Sequence, residues 1–245
     1  MLDSGAAEDN LFRRAMKTIG LIGGMSWEST ALYYRLLNQA VARRLGGFHS
    51  ARLILFSVDF HDIESFQTKG EWDQAAAQLH DAAQSLERAG AEFLVLCTNT
   101  MHKVADAITN GLSIPLLHIA DASADVIKQA GVRSVGLLGT RFTMDQTFYR
   151  GRLETHGLSV LVPADADRQL VNRVIYDELC LGKVRDESRL RYRTIIAEMV
   201  NSGAEGIILG CTEIGMLVSA DDSPVPTFDT TQIHAEAAVE YALLE

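Results

Sequence analysis

From Lys17 onward, short apolar runs alternate with longer stretches of helical period. The runs fall at 17–22 (KTIGLI), 51–57 (ARLILFS), 92–97 (EFLVLC), 114–118 (IPLLH), 133–138 (RSVGLL), 158–162 (LSVLV), 205–210 (EGIILG) and 224–228 (PVPTF), and each predicts a strand. Between them lie amphipathic stretches; in 29–45, Leu32, Leu36, Leu37 and Val41 recur at helical spacing. Near-continuous apolar strands separated by helices imply parallel strands covered on both faces, joined by right-handed crossovers. The expected fold class is α/β.

The pattern also repeats. GAEFLVLCT at 90–98 aligns without gaps on GAEGIILGC at 203–211, an offset of 113. IGLIGG at 19–24 aligns on VGLLGT at 135–140, an offset of 116, and Ile114-Pro115 matches Val225-Pro226 at 111. The order is the same in both copies, and the small changes of offset are what loop insertions produce. Two pseudo-symmetric α/β domains follow, each a mostly parallel sheet flanked by helices, with the active site in the cleft between them. The expected division is 16–117 plus about 225–245 as the first domain and 118–224 as the second. The last helix, 229–243, packs back on the first domain. Residues 1–15, small, polar or charged, are set aside as a disordered extension.

The repeat selects the candidate chemistry. Cys211 aligns with Thr98, whereas Cys97 aligns with Gly210. Side chains alternate across a strand, so Cys97 and Thr98 face opposite ways. Parallel α/β sheets bind ligands at the C-terminal ends of their strands. Thr98 and Cys211 are thereby expected to face one cleft from opposite walls, with Cys97 turned into packing. Two opposed groups suit inversion of a carbon centre, where a proton leaves one face and another arrives at the other. A thiolate at a helix N-terminus would serve as base, its pKa depressed by the dipole. Gln67, Asn99, Thr100, Thr140, Thr143, Thr212 and Glu213 follow strands and are candidate substrate-binding residues. Several of them are equally suited to helix capping. Arg141 is a further polar candidate. His102 reads as a packing or surface histidine, and Tyr176 and Cys180, four apart on one helical face, read as core.

Composition narrows the partners. Of 245 residues 47% are apolar and 22% charged, with a net charge of −10 and no dense basic run, which excludes a phosphate-backbone partner. No apolar run reaches the length of a membrane span. Three cysteines and seven scattered histidines offer no metal motif. The spacing G-x-x-G-G at 20–24 does not fit a dinucleotide loop. A soluble cytoplasmic protein acting on a small molecule is the expectation.

Gly23-Gly24-Met25-Ser26-Trp27-Glu28-Ser29-Thr30, Cys97-Thr98-Asn99-Thr100-Met101-His102 and Gly210-Cys211-Thr212-Glu213 resemble segments of the aspartate/glutamate racemase superfamily, and the resemblance runs from Met16 to the C-terminus. It implies a cofactor-independent amino-acid racemase, usually a homodimer, with one cysteine from each half as paired acid and base. The second of those cysteines maps onto Cys211, and the first maps onto Thr98. A threonine hydroxyl is a poor base, so the expected enzyme is asymmetric and favours the L-isomer as substrate: Cys211 removes the α-proton of an L-amino acid, aspartate or glutamate, and Thr98, directly or through water, returns one on the other face. Met25 and Ser26 join the candidate substrate-binding residues through the same resemblance. The basic residues that aspartate-selecting members can use have no counterpart at 57–67 or at Cys180. Arylmalonate decarboxylase and maleate isomerase resemble the same superfamily, so a single-cysteine decarboxylase or isomerase of a small dicarboxylate is the alternative. A non-catalytic amino-acid binder ranks last.

Overall fold

The computed structural model describes residues 16–244, so the proposed extension at 1–15 lies outside the described residues. The first half runs β1 (Ile19–Gly23), α1 (Trp27–Leu45), β2 (Leu53–Ser57), α2 (Phe60–Lys69), α3 (Trp72–Arg88), β3 (Phe93–Leu96), α4 (Ala105–Thr109) and β4 (Leu116–Leu117). The second runs α5 (Ile119–Gln129), β5 (Ser134–Gly139), α6 (Arg141–Asp145), α7 (Thr147–Thr155), β6 (Ser159–Leu161), α8 (Asp165–Asp177), α9 (Asp186–Asn201), β7 (Gly206–Gly210), α10 (Ile214–Leu217), β8 (Thr227–Asp229) and α11 (Thr230–Leu243). Every strand lies within two or three residues of its apolar run.

The strands form two four-stranded parallel sheets, ordered β2-β1-β3-β4 and β6-β5-β7-β8. The fold is α/β with two similar halves. Their registers agree residue by residue with the repeat. Ile22 pairs with Leu96 as Leu138 pairs with Leu209, and Leu94 pairs with Leu116 as Ile207 pairs with Thr227. The offsets 116, 113 and 111 are thus preserved in three neighbouring strands, which makes Thr98 and Cys211 equivalent positions.

Alternation divides the first sheet. Ile19, Leu21, Phe93, Val95 and Cys97 pack against Tyr33, Leu37, Ala40 and Val41 of α1 and Ala235, Ala238, Val239 and Ala242 of α11. Ile22, Leu94 and Leu96 face the other way, onto Ile63 of α2 and Ala75, Leu79, Ala82 and Leu86 of α3. The small alanines of α3 and α11 let the helices approach their sheet closely. In the second half one cluster joins β5, β6 and β7 to α5, α8 and α9. Among the described residues no helix is long and apolar enough to cross a membrane.

Candidate active site

The C-terminal ends of the central strands of both sheets meet at one buried cavity. It is lined by Met25 after β1, Thr98, Asn99 and Thr100 after β3, Thr140 after β5, and Gly210, Cys211, Thr212 and Glu213 at the end of β7. Phe60 and Gln67 of α2, Ile175 and Tyr176 of α8, and Cys180 complete it. Cys97 is absent from the lining; its side chain is fully buried against α1 and α11, and that burial pushes its thiol pKa up.

Local geometry explains how each half presents its group. The Cys97 N–H still donates to the Ile22 carbonyl at 2.9 Å, and the Thr98 N–H turns back to the Leu96 carbonyl at 2.8 Å, so the ladder ends at Thr98. His102 Nδ1 donates to the Thr98 carbonyl at 2.7 Å, while its Nε2 accepts the Ile119 N–H at 3.3 Å. His102 is therefore the packing histidine of the two alternatives, a buried neutral ring that fixes the backbone beneath Thr98. Burial, with His118 and His234 nearby, holds its pKa well below the usual value. Gly24, with φ +96°, sets the turn after β1; a Cβ there would stand 2.1 Å from the Val58 carbonyl oxygen. Its N–H goes to Thr30 Oγ1 at 2.8 Å.

Cys211 differs from expectation in one respect. Its thiol is buried and donates to Glu213 Oε2 at 3.0 Å, and its pKa is raised well above the usual value, by burial first and then by the Glu213 and Cys180 charges. The helix-stabilised thiolate is not what this site holds at rest, because α10 begins three residues on and is a single four-residue turn. Glu213 accepts two more hydrogen bonds, from Thr212 Oγ1 at 2.6 Å and from Ser26 Oγ at 2.8 Å. A carboxylate against the thiol is a proton acceptor already in place.

Hydrogen bonds tie the two walls together at this point. Ser26 reaches Glu213, Asn99 Nδ2 donates to Thr230 Oγ1 at 3.1 Å, and the Thr100 and Thr140 hydroxyls meet at 3.1 Å. Of the expected binding residues, Ser26 and Thr143 stand behind the lining: Ser26 is spent on Glu213 and on capping α1, and Thr143 on Thr140 at 3.2 Å. Met25, Gln67, Asn99, Thr100, Thr140, Thr212 and Glu213 are in it. Arg141 lies in an outer cleft that shares Gln67 and Tyr176 with the cavity, and pairs there with Asp145 and Asp165. Sequence reasoning placed Tyr176 and Cys180 in the core and passed over Phe60, Ile175 and Gly210. Their apolar or small character at regular spacing is the same for a core position and a cavity wall. Among the described residues no group of three or more His, Cys, Asp or Glu side chains could hold a metal ion.

The family described as Asp/Glu/Hydantoin racemase matches the chain over residues 22–238. A crystal structure from Yersinia pestis, provisionally assigned as an Asp/Glu racemase, is 60% identical and superposes with a TM-score of 0.88, over 94% of this chain and all of that one. An aspartate racemase homologue from Pyrococcus horikoshii OT3 is 38% identical at a TM-score of 0.79, over 93% and 99% of the two chains. The broad specificity amino-acid racemase RacX of Bacillus subtilis (strain 168) is 26% identical over 171 residues, 68% of this chain and 72% of its own.

Proposed function

We propose, from the premise that the chain belongs to the Asp/Glu/Hydantoin racemase family, that it inverts the α-carbon of an amino acid without a cofactor, using Cys211 and Thr98 as the groups on either face. Aspartate, glutamate and hydantoins are the substrates in the family's name. The observation that carries the reading is the equivalence of Thr98 and Cys211, at the ends of corresponding strands of the two sheets, on the lining of one cavity.

The chemistry follows from the hydrogen bonds. Glu213 Oε2 takes the Cys211 proton as the substrate seats, and the thiolate so formed removes the α-proton from an L-amino acid. The carbanion is flattened by its own carboxylate. On the opposite face the Thr98 hydroxyl, directly or through one water, delivers a proton and the D-isomer results. Return of the Glu213 proton to solvent and of solvent protons to Thr98 resets the site. Enantiomers have equal free energy, so net inversion has the same kcat/KM in both directions. The asymmetry between thiol and hydroxyl shows instead as exchange: Cys211 returns a solvent-derived proton to the L-face more often than Thr98 completes inversion. The cytoplasm, where thiols stay reduced, suits a catalytic cysteine. As partner we infer a second copy of the chain, supported by the exposed Leu55 and Phe56 on the edge strand β2.

The test is proton NMR in deuterated buffer with L- and D-isomers of alanine, aspartate, glutamate and glutamine. Deuterium enters the L-substrate before D-product accumulates, Cys211→Ala abolishes both, and Thr98→Cys raises inversion relative to exchange. Absence of α-proton exchange with every amino acid, or release of carbon dioxide from a substituted malonate, sinks the proposal.

A further inference from the structure

Among the fourteen residues lining the cavity there is no arginine, lysine or histidine, and the one carboxyl group is that of Glu213. An α-amino acid brings its own ammonium and carboxylate into this space. Aspartate or glutamate would bring a second carboxylate, beside Glu213 and with no cation to answer it. Burying an unpaired charge is far more costly than burying a neutral polar group of the same shape. Arg141, in the outer cleft, is already held by Asp145 and Asp165.

Two buried acceptors in the lining lack a hydrogen-bond partner, Asn99 Oδ1 and Gln67 Oε1. Asn99 follows Thr98 in the chain, and its oxygen suits the substrate ammonium. Gln67 is 5% exposed and comes from α2, at the boundary with the outer cleft. Its Nε2 donates to Met101 Sδ at 3.0 Å. A thioether has lone pairs and no proton, so it fixes the amide nitrogen toward Met101 and leaves the oxygen as an acceptor. Around it Phe60, Ile175, Tyr176 and Cys180 supply uncharged walls.

We propose that the site prefers amino acids whose side chain is uncharged and ends in a hydrogen-bond donor, an amide or a hydroxyl, over aspartate and glutamate, with Gln67 as the residue that selects them. The proposal rests on the racemase reading and adds to it the substrate class.

The experiment compares α-proton exchange in isosteric pairs, L-glutamine against L-glutamate and L-asparagine against L-aspartate. The expected result is a kcat/KM roughly tenfold or more higher for each amide. Gln67→Met keeps the length and removes the acceptor, and reduces the preference for glutamine over methionine. Gln67→Lys supplies a cation and shifts the glutamine-to-glutamate ratio toward the acid. Wild-type exchange on the acids as fast as on the amides overturns the proposal and leaves the racemase reading standing. Ratios that neither variant moves overturn the role of Gln67. No exchange on any of the four, or on alanine, removes the racemase reading and this inference together.

Discussion

Glu213 takes three hydrogen bonds on two oxygens, from Ser26, Thr212 and Cys211, and so links the first half's turn to the second half's thiol. Changing it to glutamine keeps the shape and removes the charge that raises the thiol pKa and that, in the proposed mechanism, receives the Cys211 proton. The two consequences have opposite signs. Turnover of Glu213→Gln falls by about 10²- to 10⁴-fold, the usual contribution of a positioned base, while the midpoint of a pH–alkylation curve for Cys211 with iodoacetamide moves down. If turnover survives, Glu213 is not the proton acceptor; if the midpoint stays put, its charge does not raise the thiol pKa. That Thr98 and Cys211 line one cavity could be read from the repeat because equivalent strands present equivalent positions. The protonation state of Cys211 could not, since it depends on burial and on how Glu213 turns back toward the thiol.

At the level of elements, the sheets were legible because parallel strands covered on both faces are written as unbroken apolar runs. The central strands β1, β3, β5 and β7 follow this rule, with buried residues at nearly every position. Of the walls supplied by α2 and α8 only Gln67 was legible, because Phe60, Ile175 and Tyr176 have the spacing of any buried helical face. The edge strand β2 departs from the central ones: Leu55 and Phe56 are 44% and 38% exposed, and one side of its backbone ladder is unpaired. Trp27 and Tyr34, one face of α1, are also exposed. An open apolar edge of this kind invites another strand unless it is covered. The wild type is therefore expected to sediment as a dimer, and Leu55→Glu with Phe56→Glu as a folded monomer. A wild type that sediments as a monomer would remove the second copy from the proposal.

On the scale of the whole molecule, three buried histidines, His102, His118 and His234, lie edge to face where α11 and the start of α5 come together. His234 accepts from the Tyr33 hydroxyl at 2.9 Å and donates to the Leu117 carbonyl at 2.9 Å, and burial lowers its pKa to about 4. Burial also lowers His118 and His102. A histidine whose folded pKa is below its unfolded value leaves the unfolded chain binding more protons in the interval between, so stability falls as pH drops. His234 alone removes about 3 kcal/mol between pH 6.5 and pH 4. The melting temperature is expected to decline steadily from pH 7 to pH 5, and less steeply in His234→Gln; equal slopes would exonerate His234. The same corner of the molecule also governs when the protein can form. Ala235, Ala238, Val239 and Ala242 of α11 are wholly buried against β1 and β3, strands made more than a hundred residues earlier. During synthesis α1 can cover its part of that face early, but the strip that belongs to α11 stays open until residue 243 exists, and the second half also waits on this helix for Ile233 and Ala237. Both halves are thus closed by the last helix made, and the open strip beside β1 and β3 passes that interval within reach of whatever chaperones attend the ribosome.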